Sequence, residues 1–398
     1  MSKRKKINKK KVAAVMIAFT LIISLCSYIT ISMISLFSSE EEISHKEPEK
    51  KYDHISFVAV GDNIIHENVY QYAKTQSFDG NYNFKPCYQN IKKYIQNKDL
   101  AYINQETIIA GDQTKIQGYP TFNSPESLID DLNDTGFNLV NCATNHSMDQ
   151  GLKGLFNSCR IWRQHSDMIM SGIYDSQKDR DTMRIFKKNN MTLSFLTYTF
   201  GVNQYSNYQT ISHQLEQYPY ALAQFDDEQI TEDIIKAKEI SDVVIVGAHW
   251  GVEGKEEVTD FQKHYAQLFA KLNVDLVIGS HNHMIQPIET LTGQNGHETL
   301  VIYSLGNFLS TMKGIDNQLE GMVTLDFVKK EKGVIIENVT YIPLINHYDK
   351  NCVTVYALKN YNETLRCQHS ILKDQKKILK TFKNKVKEMI SQNIEIEM

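Results

Sequence analysis

Cysteine is scarce in this sequence, and the cysteines present do not pair. Cys26 lies inside a long apolar run; Cys87, Cys142, Cys159, Cys352 and Cys367 are widely spread, odd in number and without metal-type spacing. A disulfide framework and a paired-thiolate metal site are both excluded by that pattern, and small buried or free thiols are expected. Positive charge is also short. The chain carries 43 basic and 47 acidic residues, formal net charge −4. Lys3, Arg4, Lys5, Lys6, Lys9, Lys10 and Lys11 all precede Val12, which leaves 36 basic residues against 47 acidic ones, or −11, beyond them. A body of that sign does not bind nucleic acid or other polyanions through its overall field. Acting on an anion requires local cations, and a bound metal supplies them. Internal repeats are absent, and so are low-complexity tracts away from the two termini.

Charge is missing altogether from Val12 to Phe37, 26 residues. As a helix this run extends ~39 Å, enough to cross a hydrocarbon core of about 30 Å with some tilt. The lysine-rich flank before it and Glu40-Glu41-Glu42 after it predict a cytoplasmic N-terminus and an extracytoplasmic remainder, a single-pass protein of the cell membrane. A cleaved signal has a shorter apolar region and a small-residue cleavage site. A lipoprotein signal places a small residue where Leu25 precedes Cys26. A retained anchor is the better reading. The expected organisation is a basic cytoplasmic segment (1–11), an anchor (12–37), a polar linker (38–52), a main domain (53–345) and a C-terminal strand and helix extension packed on it (346–398).

Beyond the linker, short apolar runs end abruptly in polar clusters. Ile55–Val60 ends in Gly61-Asp62, Leu100–Ile103 in Asn104-Gln105-Glu106, and Asn138–Ala143 in Thr144-Asn145-His146. Val243–Val246 ends in Gly247-Ala248-His249, Leu276–Ile278 in Gly279-Ser280-His281-Asn282-His283, and Leu300–Tyr303 in Ser304-Leu305-Gly306-Asn307. Such runs fit strands buried on both faces. Helical patterns lie between several of them: Pro125–Asp134, Leu152–Gln164, Asp227–Ile240 and Asp260–Leu272. The alternation predicts a layered α/β fold. Further β structure is expected at Met322–Phe327, Val334–Ile342 and Val353–Ala357, and a surface helix with one apolar face over Ile371–Ile390. In α/β sheets ligands collect at the carboxyl ends of strands, so the six clusters are expected to converge.

Together they offer the carboxylates of Asp62 and Glu106, the amide of Asn145, and the imidazoles of His66, His146, His249, His281 and His283. Residues i and i+2 of an extended segment point the same way, which lets His281 and His283 address one site. A mixed nitrogen and oxygen set suits Zn²⁺, Mn²⁺ or Fe rather than the all-oxygen shells of Ca²⁺ or Mg²⁺, and there are ligands enough for two ions. Any one of these histidines alone is more often a satisfied polar residue than a ligand, and His66 stands where it would cap a helix. Recurrence at successive strand ends argues for the ligand reading. His54, His165, His213, His264, His297, His347 and His369 lack that setting and are taken as structural or exposed.

At these residues the sequence resembles the poly-γ-glutamate capsule biosynthesis proteins of the CapA type, relatives of the calcineurin-like metallophosphoesterases. The matching segments, in the family's order, are Phe57–Asp62, Asn104–Thr107, Ala143–Gly151, His249–Glu253, Gly279–Glu289 and Tyr303–Phe308. Thr144 and Asn282 depart from the family's usual Asn and Pro, and neither change removes a candidate ligand. The resemblance implies a metallophosphoesterase-like β-sandwich flanked by helices. It makes Asp62, Glu106, Asn145, His249, His281 and His283 metal ligands, with His66 a less certain neighbour. It also makes His146 the acid that protonates a leaving oxygen, and Asp149 the residue that orients it. The function expected is metal-dependent work in capsule or cell-surface polymer biosynthesis, on an anionic surface polymer or a phosphoester, beside other capsule-synthesis membrane proteins. A non-catalytic polymer-binding factor at the export site and a surface phosphodiesterase or nucleotidase stay open as alternatives.

Overall fold

Alternation of side chains along the strands sets the layers of this molecule. The computed structural model describes residues 9–37, 52–205, 207–391 and 393–398. The chain divides into two units, Met1–Lys51 and Tyr52–Met398. In the first, the helix Lys9–Phe37 contains an apolar span of 21 residues, Ala13–Met33. At 1.5 Å per residue that span is ~32 Å long, sufficient for a hydrocarbon core of about 30 Å. Residues 1–8 of the expected cytoplasmic segment and residues 38–51 of the expected linker lie outside the described residues.

The second unit holds fifteen strands among its described residues. In chain order they begin with β1 (His54–Asn63), β2 (Leu100–Gln105), β3 (Leu139–Asn141), β4 (Ile169–Ser171) and β5 (Arg184–Lys188). Next come β6 (Met191–Thr199), β7 (Val243–Trp250), β8 (Leu276–His281), β9 (Ile288–Thr292) and β10 (Glu298–Ile302). Last are β11 (Asn307–Leu309), β12 (Leu319–Lys330), β13 (Gly333–Tyr348), β14 (Val353–Ala357) and β15 (Glu395–Ile396). One sheet runs β14-β13-β12-β1-β2-β3-β4, with β11 beside β1 and β15 beside β13; the other runs β5-β6-β7-β8-β10-β9.

Odd and even residues of a strand face opposite sides, and here both sides are apolar. Ile55, Phe57 and Ala59 of β1 meet Val243 and Ile245 of β7 and Leu276 and Ile278 of β8 in a core between the sheets. The alternate residues of the first sheet, Val58, Val60, Ala101 and Ile103, pack against the helices Glu67–Thr75, Ser127–Thr135 and Gly151–Trp162. Those of the second, Val244, Val246 and Val277, pack against Asp227–Ile240 and Asp260–Lys271. The result is the layered α/β sandwich flanked by helices that the resemblance implies. All six cysteines are free.

One strand goes unannounced in the sequence, and one expected helix is corrected. β6 carries no clear sequence signal because Thr192, Ser194, Thr197 and Thr199 interrupt its apolar run, yet Ser194, Thr197 and Thr199 are buried. The stretch Ile371–Ile390 is not one helix: a short turn, Leu372–Asp374, precedes the helix Ile378–Met389, with Lys377 left-handed at φ 69° between them. The Arg366 guanidinium donates to the carbonyls of Leu372 and Lys373, which fixes them outside a helical ladder. Phe382 and Val386 of the helix Ile378–Met389 are buried in the core between the sheets.

Candidate metal centre

One extra residue in β1 aims the first carboxylate. Ala59 stands opposite Tyr102 of β2, but Asp62 stands opposite Asn104, so β1 uses three residues where β2 uses two. A bulge of this kind reverses the facing of the residues beyond it. Without it Asp62 would point with Val58 and Val60 towards the helices. With it Asp62 turns to the mouth of the core between the sheets, which is where His249, in step with Val243 and Ile245, also points. Gly61 permits this arrangement: a Cβ there would lie 1.9 Å from the carbonyl oxygen of Gly306, whose chain pairs with β1.

Asp62 is then held by its neighbours along the sheet edge. Asn141 Nδ2 donates to Asn104 Oδ1 at 2.7 Å, and Asn104 Nδ2 donates to Asp62 Oδ1 at 2.7 Å. These three residues stand side by side on β3, β2 and β1. The other oxygen, Asp62 Oδ2, accepts the backbone N–H of His281 at 3.1 Å and faces His283 Nδ1 at 3.2 Å. Glu106, immediately after β2, lies 3.8 Å from His283 Nε2 and 3.9 Å from His146 Nε2. From the second sheet, His249 Nδ1 sits 2.9 Å from Ser280 Oγ, and its Nε2 sits 2.8 Å from Asn145 Oδ1. Ligand atoms of Asp62, Glu106 and His249 all lie within 4.8 Å of one another, and all three residues are buried.

His281 and His283 do converge, though not through an extended strand. Both have left-handed backbones, φ 96° and 59°, and their ring centroids lie 6.0 Å apart. Non-glycine residues held there store strain and persist where the surroundings over-determine them; Asp62 receives one through its N–H and the other through its ring. His66 is set apart. It occupies the cap position of the helix Glu67–Thr75 but makes no side-chain capping bond. Its Nδ1 accepts the Thr311 N–H at 3.2 Å instead, and its ring meets Phe122 edge-on. Phe122 in turn meets the ring of His146 edge-on at 4.7 Å.

His146 and Asp149 form a pair, Nδ1 to Oδ2, at 2.7 Å. The same carboxylate oxygen accepts the Phe122 N–H at 2.7 Å. Asp149 is thereby fixed at its place, and the imidazole is turned with Nε2 towards Glu106.

The donor set fits divalent cations. Glu106 Oε2 and His281 Nδ1 are buried and without a hydrogen-bond partner among the described residues, which leaves each open to a further contact. Burial pushes the Glu106 carboxyl well above the carboxylate range and pushes His249 and His281 well below the imidazole range. Burial also works to lower His283, but Glu106 and Asp62 beside it outweigh that and raise it to about 9. Neutral His249 and His281 rings keep lone pairs for a cation, and a positive ion beside Glu106 offsets the cost of its buried charge. The 2.8 Å separation of Asn145 Oδ1 and His249 Nε2 also matches ~3 Å between adjacent ligands at about 2.1 Å from one metal.

Comparison with known proteins places the chain. The family described as bacterial capsule synthesis protein PGA_cap matches residues 56–312. The chain belongs to that family. Within it, the PGA biosynthesis protein CapA of Bacillus subtilis (strain 168) is 28% identical over 179 residues, 45% of this chain and 44% of that protein. The capsule biosynthesis protein CapA of Bacillus anthracis is 22% identical over 317 residues, 78% of this chain and 70% of that protein. The match therefore spans less than half the length of the first of these relatives. Among solved structures, a protein described as a 5′-nucleotidase from Staphylococcus aureus, crystallised with α-ketoglutarate, aligns with TM-score 0.46 and 18% identity over 83% of this chain and 58% of that one. A hypothetical protein from Thermus thermophilus aligns with TM-score 0.41 and 13% identity over 73% of this chain and 99% of that one.

Every family motif read from the sequence contributes to this meeting of the two sheets' carboxyl edges. Residues that sequence reasoning passes over are the amide pair Asn104 and Asn141, Ser280, and the segment after β6. That segment brings Phe200 to 4.4 Å from the His281 ring and Asn203 against both Asn145 and His146. Asn104 lies inside a family motif, and its signal is its place directly across from Asp62.

Proposed function

We propose that this protein is a membrane-anchored, extracytoplasmic, metal-dependent hydrolase of phosphoester type that serves capsule or cell-surface polymer biosynthesis. The observation that carries the reading is the gathering of Asp62, Glu106, Asn145, His249, His281 and His283 from the carboxyl edges of both sheets beside the His146–Asp149 pair. Divalent ions held by those six residues would supply Lewis-acid activation of water and of the phosphoryl oxygens. Zn²⁺, Mn²⁺ and Fe suit the mixed nitrogen and oxygen donors.

The chain's own part is set by geometry. Asp149 accepts from His146 Nδ1 and leaves Nε2 directed to the centre, where it delivers a proton to a leaving oxygen. Phe122 packs edge-on against His146, and Phe200 packs against His281. The −11 balance beyond the basic N-terminal segment makes the local cations necessary for an anionic substrate, whether a phosphoester or an anionic surface polymer. Support for the process comes from family membership. Support for the cellular side comes from the apolar helix and its asymmetric flanks, which favour a site facing the surface polymer and other membrane proteins of capsule synthesis. Hydrolysis of bis(p-nitrophenyl) phosphate by the metal-loaded protein tests the chemistry. His146→Ala is expected to lower turnover by ~10²–10⁴-fold with metal content retained. No turnover by metal-loaded wild type, or an unimpaired variant, contradicts the assignment.

A further inference from the structure

An asparagine ligand presents a difficulty that carboxylates and imidazoles do not. Its two amide ends are nearly identical in shape, and only the oxygen ligates a cation. Something must hold Asn145 with Oδ1 inward. In this structure Oδ1 lies 2.8 Å from His249 Nε2, and Nδ2 donates to Asn203 Oδ1 at 3.0 Å. The first contact cannot keep the amide oriented once a metal is present, because a coordinated Nε2 no longer carries a proton to donate. The second contact survives metal binding.

We infer that Asn203 is a positioning residue that sets the orientation of the Asn145 amide and so completes the metal centre; this rests on Asn145 being a ligand. Asn203 is itself well located for the task. Its backbone N–H donates to the carbonyl of Asn145 at 3.3 Å, and its Nδ2 lies 3.2 and 3.4 Å from the two ring nitrogens of His146. The segment that carries it is tied to the strand of another ligand. Thr199, the last residue of β6, stands opposite His249 in β7, and the Phe200 N–H donates to the His249 carbonyl at 3.0 Å. Phe200 then covers the ring of His281. One short segment after a single strand thus touches Asn145, His146, His249 and His281.

The test is a titration of the full-length protein in detergent with Mn²⁺ against a competing chelator. Asn203→Ala removes the acceptor, and apparent affinity is expected to fall about 10–100-fold, while the metal-free variant melts with the wild type. Asn203→Asp keeps an acceptor oxygen facing Asn145 and is expected to recover most of that affinity. In an Asn145→Ala background, Asn203→Ala should have no further effect, because a residue that acts through another is non-additive with it. Wild-type affinity in Asn203→Ala, equal loss in the Ala and Asp variants, or full additivity with Asn145→Ala overturns the positioning role alone. A wild type that takes up no Mn²⁺ overturns the metal reading and this inference with it.

Discussion

Asp62 receives a hydrogen bond from Asn104 on one oxygen, and its other oxygen meets the His281 N–H and the His283 ring, so the carboxylate is held from both sides. Outer partners of this kind orient ligands and tune their affinity. Replacing Asn104 with alanine removes the bond to Asp62 and strands the Nδ2 of Asn141. The expected result is a loss of divalent affinity of about 10–100-fold with a stability cost of ~1–3 kcal/mol for the unpaired buried donor. A chelator-competition titration alongside urea unfolding checks both figures. At this scale the candidate ligands are legible in the sequence, because each follows closely on an apolar run. Their supports are not. Whether Asp62 faces the core or the helices depends on a bulge that changes parity, and no residue type in Phe57–Asp62 announces it. The turn of His281 and His283 is equally hidden, since two histidines at i and i+2 look the same in an extended strand and in a left-handed one.

Elements are legible in proportion to the continuity of their apolar pattern. The helix Asp227–Ile240 can be read to the residue; its Asp226 cap accepts the Gln229 N–H at 2.9 Å. β6 escapes because hydroxyl residues break its run, and with it go Phe200 and Asn203, which only make sense at the end of a strand next to β7. The C-terminal elements hold a titratable device of their own. His369 is buried, its Nδ1 accepts the N–H groups of Ile371 and Leu372, and its Nε2 faces the carbonyl of Asn346 at 2.9 Å. Only a neutral ring with its proton on Nε2 makes all three bonds. Burial first, with His347 adding to it, lowers its pKa to about 4 from the ordinary 6.5. A histidine depressed in the fold contributes stability above the unfolded value and loses it as pH falls. The metal-free protein should therefore lose stability between pH 6.5 and about 4. In His369→Gln that fall should be smaller, from a lower starting stability at neutral pH. Urea midpoints at the two ends of the window decide it, and an undiminished slope in the variant counts against the role given to His369.

For the molecule as a whole, two sheets face each other so that their carboxyl edges open at one place, and family motifs spread from residue 57 to residue 308 meet there. Layering is legible because strands buried on both faces read as unbroken apolar runs; the pairing of β1 with β12 is not, since contacts between residues so far apart leave no local mark. The arrangement has one purpose under this account, to hold divalent cations beside His146. Metal analysis of the full-length protein, purified with Mn²⁺, Zn²⁺ and Fe supplied and then freed of loosely bound ions, tests that most directly. About one to two ions per chain are expected in the wild type, with a clear loss in Asp62→Ala and in His249→Ala. A wild type that emerges without metal, or variants that keep the full wild-type complement, would contradict it.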